Sequence, residues 1–238
     1  MEPDLQHGIV VYHARPERFA GASAQQRLLA LLDEGERARR ERFRFERDRQ
    51  AYLVAHALAR SVVGRHVDCD PGSLRFEVGE HGKPELVRSE AEPRVRFNLS
   101  HTEGLVACAV SLEHDLGVDV EHAQREVDVD GVARSVFSSV ERGDLDRFDD
   151  AARRARFFEY WTLKEAYVKA VGRGIGMPLR AITFRLGAVP SVEFGPEVDD
   201  RGHEWRFWLF RPTAEHVLSV ARRCADRVTI GLQEWPGL

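Results

Sequence analysis

The sequence predicts an α+β fold in two halves, residues 1–116 and 117–238. Three observations carry that prediction. The strand candidates fall in clusters and do not alternate one for one with helices, as a parallel α/β sheet would require. The order strand, helices, strands is followed by helices, strands, with the change near Leu116. At 238 residues and 43% hydrophobic content, the chain can fill one large core or two smaller ones. The repeated order points to two similar halves, although no fixed-period sequence repeat joins them.

Taken in order, Gly8–Tyr12 (GIVVY) reads as a first strand. Ala24–Arg42 carries leucines at 28, 29, 31 and 32 before a dense charged stretch, and reads as a helix. Asp48–Arg65 is a stronger helix, with Asp48 as its cap and Tyr52, Leu53, His56, Leu58 and Val62 near helical spacing. Short strands follow at Ser73–Val78, Val95–Leu99, Val106–Ser111 and Gly117–Glu121, divided by Gly, Pro and charged turns. Helices are expected at Val132–Phe137, Glu141–Arg147 and Ala152–Val171. The remainder reads as β structure at Ala181–Leu186, Trp205–Phe210, Val217–Ala221 and Val228–Gln233.

The bulk composition excludes several function classes. A net charge of −4 argues against a general nucleic-acid binder. The three cysteines, Cys69, Cys108 and Cys224, are odd in number and form no CxxC pair, which fits small buried hydrophobes in a reducing compartment. The opening MEPDLQHGIVVYHARPE has no basic segment followed by a long apolar core, so no signal peptide is expected. No apolar run approaches the ~20 residues of a membrane span. A soluble cytoplasmic protein without membrane or nucleic-acid partners is the expectation.

Lysine usage marks where chemistry is concentrated. The chain has three lysines, Lys83, Lys164 and Lys169, against thirty-two arginines. A compact ammonium on a flexible stem does a different job from a planar guanidinium fork. Two of the three lie in FFEYWTLKEAYVKAVGRG, Phe157–Gly174. On a helix, Trp161, Glu165 and Lys169 or Val168 share one face, because i and i+4 are neighbours. That face carries an aromatic ring, an acid and an ammonium in order. An ordinary surface Glu–Lys pair would look the same, but Phe157, Phe158 and Trp161 argue against a plain solvent face. Lys164, about 100° round the helix from Glu165, is expected to face solvent or a protein partner. Gly172 and Gly174 close the helix as a C-cap or permit a close backbone approach.

The LGVDVE strand puts Asp119 and Glu121 on one face, about 6.5–7 Å apart along the chain. Two such carboxylates repel unless a cation lies between them. Hard oxygen ligands suit Mg²⁺, which also takes phosphate oxygens. A solvated strand face bearing two acids would read the same way. FNLSHT, Phe97–Thr102, offers an amide, a hydroxyl and an imidazole able to hold phosphate or ribose oxygens, or to make a turn. Gly82-Lys83-Pro84 is a turn with one cation. The basic run Arg37–Arg49 is interleaved with glutamates and reads mostly as a solvated helix face.

In combination and in this order, GKP, FNLSHT, GVDVE and WTLKEAYVKAVGRG, with FRFERDRQAYLVAHALAR upstream, resemble the 4′-phosphopantetheinyl transferases of the surfactin-synthetase-activating type. The recognisable blocks run from about Arg37 to Leu179. The resemblance implies two α+β halves about a pseudo-twofold axis in a monomer, with coenzyme A and Mg²⁺ (Mn²⁺ substituting) in a cleft between them. It implies transfer of 4′-phosphopantetheine from coenzyme A to a serine of an apo acyl or peptidyl carrier protein, giving adenosine 3′,5′-bisphosphate. Asp119, Glu121 and Glu165 match metal-binding acids, with Asp119, Glu165 and Lys169 as the catalytic set. Lys169 matches a diphosphate contact. Lys83, Asn98, Ser100 and His101 match coenzyme A contacts, and Arg39 a basic residue for the 3′-phosphate. Some relatives have a lysine where this chain has Glu36, so a second cation would have to come from Arg37 or Arg40. Glu141 matches an acid often near the site. The W…KEA form resembles the branch serving polyketide and nonribosomal peptide synthases. A housekeeping transferase for fatty-acid carrier protein and a non-catalytic coenzyme A-binding module are the alternatives.

Overall fold

In a computed structural model, which describes residues 8–79, 83–87, 94–112, 114–172, 176–224 and 228–238, the first strand runs two residues further than its apolar run. This strand, β1 (Gly8–Ala14), is buried along almost its whole length. Near-continuous apolar sequence is what a strand covered on both faces needs. β1 has neighbours on both edges. β5 (Leu105–Leu112) pairs with it antiparallel, and β11 (Thr229–Glu234) pairs with it parallel. β4 (Val95–Thr102) completes the sheet in the order β11-β1-β5-β4.

The chain divides into two units. The first comprises Met1–Asp115 with Val228–Leu238, and the second Leu116–Arg227. The last strand, which the sequence reading counted with residues 117–238, therefore pairs within the first unit. Trp235, just beyond it, donates its backbone N–H to the His13 carbonyl (2.8 Å), and its ring stacks at a tilt on Phe19, 5.1 Å away.

The helix expected over Ala24–Arg42 is two helices, α1 (Ala22–Leu31) and α2 (Glu34–Glu41). Leu32 is extended, and Asp33 starts a new helix. The Asp33 carboxylate accepts from the Glu36 N–H, and the Glu36 carboxylate accepts from the Asp33 N–H. This reciprocal cap satisfies two otherwise orphaned donors and outweighs the continuing leucine pattern. α3 (Glu46–His66) is capped at Phe45, three residues before the expected cap, so Asp48 lies in its first turn. There its charge is still favourable beside the helix N-terminus. α3 packs on β4 and β5, with Leu53, Leu58, Val106 and Cys108 in the core. Burial of Cys108 pushes its thiol pKa well above the usual range. β2 (Phe76–Val78) pairs with β3 (Pro84–Leu86), a strand missing from the sequence reading because its leading proline reads as a turn.

The second unit is built on an antiparallel sheet of β6 (Leu116–His122), β10 (His216–Arg223) and β9 (Trp205–Thr213), in that order. α4 (Val129–Val136) and α5 (Ser139–Leu145) lead into α6 (Asp150–Val171). α6 lies along β6 and β10 and is the spine of the core, which holds Phe157, Leu163, Tyr167, Phe184 and Phe207. A hairpin of β7 (Ile182–Arg185) and β8 (Ser191–Phe194) follows. The whole is α+β. Among the described residues no helix is long and apolar enough to cross a membrane.

Candidate active site

β6 supplies the two acids on one strand face. Asp119 stands opposite Ser219 and Glu121 opposite Val217 on β10. Asp119 is buried (5% exposed), and Glu121 is half-buried nearer the strand end. α6 comes close to this strand because position 117 is glycine. A Cβ there would stand 2.1 Å from the Ala166 carbonyl oxygen and 2.5 Å from the Ala170 nitrogen. Both are backbone atoms of α6, so no side-chain movement could make room.

This close packing brings the acid–ammonium face of the helix to the acids of the strand. Lys169 Nζ donates to Asp119 Oδ1 at 2.7 Å. Trp161 Nε1 donates to Glu121 Oε1 at 3.0 Å. Arg125, just beyond β6, makes a bidentate contact with Glu121 at 2.8 and 2.9 Å, and lies 5.3 Å over the Phe158 ring. Glu165, one turn along from Trp161, is part-buried. Burial pushes its carboxyl pKa up, the negative charge of Asp119 adds to this, Lys169 opposes it and Glu121 adds further. α6 ends after Lys169 at Gly172, whose φ of 73° is left-handed and natural to glycine at that cap. Gly174 falls outside the described residues.

The donor chemistry fits a hard divalent cation. The raised Glu165 pKa comes first from burial and then from the charges of Asp119 and Glu121, a repulsion that such a cation would relieve. Among the described residues, no group of three His, Cys, Asp or Glu side chains is already arranged to hold a metal ion. In this arrangement the Lys169 ammonium and the Arg125 guanidinium supply the positive charge at Asp119 and Glu121.

Lys164 corrects the sequence reading. It is not on a solvent face: its side chain is 0% exposed and pairs with the equally buried Glu141 at 2.9 Å. Its Nζ also donates to the carbonyls of Leu179 and Ile182. Burial pushes the Lys164 pKa down, and Glu141 opposes that shift. The reason is packing: α6 is covered on several sides, so the direction 100° from Glu165 is core, not water. Glu141 itself forms a reciprocal cap with Ser138 at the start of α5 and also accepts the Phe184 N–H at 2.9 Å. The S-x-x-E spacing at 138–141 carries that capping signal in the sequence. Gly117 and Arg125 are the other site residues missed. Nothing local distinguishes Arg125 from the other arginines, whereas a glycine in the middle of LGVDVE is a signal of close backbone approach.

The remaining predicted site residues lie in the first unit. Asn98, Ser100 and His101 are on β4, which extends to Thr102 and so includes the stretch read as leaving a strand. Strand alternation places Asn98 and Ser100, both buried, on one face and the exposed His101 on the other. Lys83 stands just before β3, half-buried, and its carbonyl accepts the Gly79 N–H at 2.8 Å. Burial lowers its pKa, with Asp115 opposing. Arg39 is exposed on α2. Glu36, where some relatives carry a cation, meets His56 Nδ1 at 2.9 Å and the buried Arg60 at 2.7 Å. Its pKa is lowered: burial opposes this, but the hydrogen bonds and charges of His56 and Arg60 prevail. Arg40 is buried against Glu41 and Glu46, and Arg37 Nε donates to the Leu29 carbonyl at 3.1 Å.

Residues 115–221 match the family model of the 4′-phosphopantetheinyl transferase superfamily, and residues 21–113 match a model for the N-terminal part of 4′-phosphopantetheinyl transferases. The chain is 37% identical over 153 residues to the 4′-phosphopantetheinyl transferase HetI of Nostoc sp., covering 64% of this chain and 65% of HetI. It is 32% identical over 177 residues to a putative 4′-phosphopantetheinyl transferase of Synechocystis sp., covering 74% and 71%. It is 28% identical over 176 residues to the 4′-phosphopantetheinyl transferase Sfp of Bacillus subtilis, covering 74% and 76%.

Proposed function

The chain belongs to the 4′-phosphopantetheinyl transferase superfamily, of the Sfp-like type, and we propose that it modifies carrier domains of polyketide or nonribosomal peptide synthases. In that reaction the serine oxygen of an apo carrier attacks the phosphorus bearing pantetheine in coenzyme A. The bond from that phosphorus to the bridging oxygen breaks, and adenosine 3′,5′-bisphosphate leaves. The observation that carries this reading is the convergence of Asp119, Glu121, Glu165 and Lys169 at the contact of β6 and α6.

Such a transfer needs positioning and charge neutralisation more than covalent help from the protein. Asp119, Glu121 and Glu165 would hold Mg²⁺, or Mn²⁺ in its place, which would neutralise diphosphate charge. Arg125 would release part of its hold on Glu121 as that carboxylate is used. Lys169 offsets the charge that builds on the leaving bisphosphate. Glu165 takes the serine proton, directly or through one water. A carboxylate that holds Mg²⁺ is a weak base, which favours the route through water. Lys83, Asn98, Ser100 and His101 bind coenzyme A, with Arg39 on its 3′-phosphate.

Metal removal tests the acid set. Thorough EDTA treatment and desalting should abolish transfer, and Mg²⁺ or Mn²⁺ should restore it. Undiminished transfer after that treatment would contradict the role given to Asp119, Glu121 and Glu165. The binding residues are tested by steady-state kinetics. Lys83→Ala and His101→Ala should each raise the KM for coenzyme A more than they lower kcat, the pattern of lost ground-state binding. A loss confined to kcat would overturn that assignment.

A further inference from the structure

We propose that the buried Lys164–Glu141 ion pair is a positioning device: it fixes the rotation of α6 about its axis and so aims Glu165 and Lys169 at the acids of β6. The inference rests on the function proposed above and adds two residues that touch none of the reacting atoms.

The pair is poorly explained as a source of stability. Taking two charges out of water costs several kcal/mol each, and apolar residues of similar volume often stabilise a core as well or better. What the pair supplies is direction. The three donors of an ammonium are matched by three acceptors here: Glu141 Oε2 and the carbonyls of Leu179 and Ile182. Glu141 Oε2 also accepts the Ser138 N–H at 2.8 Å, and Oε1 accepts the Phe184 N–H at 2.9 Å. One side chain of α6 is thus tied to the start of α5, to the turn before β7 and to β7 itself. The rings of Phe137 and Phe184 stand 5.6 and 5.9 Å from Nζ and keep the pair dry.

The apolar contacts of α6 do not provide the same control. Phe157, Phe158, Leu163, Ala166, Tyr167 and Ala170 are all buried around the helix. Hydrophobic burial is non-directional, so several rotations of such a helix bury similar area. Lys164 and Glu165 are consecutive, so any rotational error at one is shared by the other. At the outer radius of a helix, about 5–6 Å, a rotation of roughly 10° moves a side-chain tip by ~1 Å. A misplacement of ~1 Å can cost 10²-fold in rate.

The test replaces the pair by uncharged groups of similar size, Lys164→Met with Glu141→Gln, and adds Glu141→Asp, which keeps both charges but shortens one arm. With wild-type transfer established, the double variant should show wild-type circular dichroism and a kcat reduced ~10–100-fold. The KM for coenzyme A should stay within about twofold, because its proposed contacts other than Lys169 lie on other elements. Glu141→Asp should lower kcat by ~10-fold in the same pattern. A folded double variant with wild-type kcat overturns the proposal. Should the double variant not fold, wild-type kcat in Glu141→Asp overturns it equally. A wild-type protein inert in transfer would instead remove the proposed function, a separate outcome.

Discussion

Lys169→Ala should lower kcat for phosphopantetheine transfer by roughly 10²-fold or more, the scale seen when one preorganised electrostatic donor is removed. The ammonium stands 2.7 Å from Asp119 and is partly exposed, at 28%. It can therefore serve an internal carboxylate and still reach a ligand. Charge on the leaving bisphosphate grows between the ground state and the transition state, so the loss should fall on kcat more than on coenzyme A affinity. Lys169→Arg should rescue only partly, because a planar guanidinium cannot occupy the place of a compact ammonium beside three acids. Single-turnover rates and coenzyme A titrations of both variants check this. Wild-type kcat in Lys169→Ala would remove the lysine from the chemistry.

Gly117→Ala should be nearly as damaging, although the residue has no functional group. The added methyl carbon would sit 2.1 Å from one backbone atom of α6 and 2.5 Å from another. Relief requires the helix to move away from β6. Overpacking of this kind costs about 1–3 kcal/mol, and more where backbone must shift. In a chain of this size each kcal/mol lowers the melting temperature by ~2–4 °C. The same movement would pull Glu165, Lys169 and Trp161 away from Asp119 and Glu121, and a shift of ~1 Å can cost 10²-fold in rate. Thermal melts together with kcat check both effects. A variant with wild-type melting temperature and wild-type kcat would show that the contact of helix and strand is slack, contrary to the geometry described.

The parts of the site governed by local periodicity were legible in the sequence. Alternation along β6 put Asp119 and Glu121 on one face, and the i, i+4 spacing grouped Trp161, Glu165 and Lys169. Both groupings meet at one place in the second unit. What was not legible depends on contacts distant in sequence. The burial of Lys164 could not be read because α6 is apolar on several sides, and its partner Glu141 belongs to another helix. The charged look of Asp33–Arg42 hid the role of Glu36, whose partners His56 and Arg60 come from α3. The parallel pairing of β11 with β1 joins the two ends of the chain, and no turn signal announces such a pair. The break between α1 and α2 was an avoidable miss, since Asp33 and Glu36 spell a capping box, as Ser138 and Glu141 do at the start of α5.

The most direct test of the central claim is the mass of an apo carrier domain after incubation with this protein, coenzyme A and Mg²⁺. The account predicts that the carrier gains one phosphopantetheine group at its serine, with adenosine 3′,5′-bisphosphate released in equal amount and no gain when EDTA is present. Coenzyme A binding with the masses of a panel of apo carriers unchanged would contradict it.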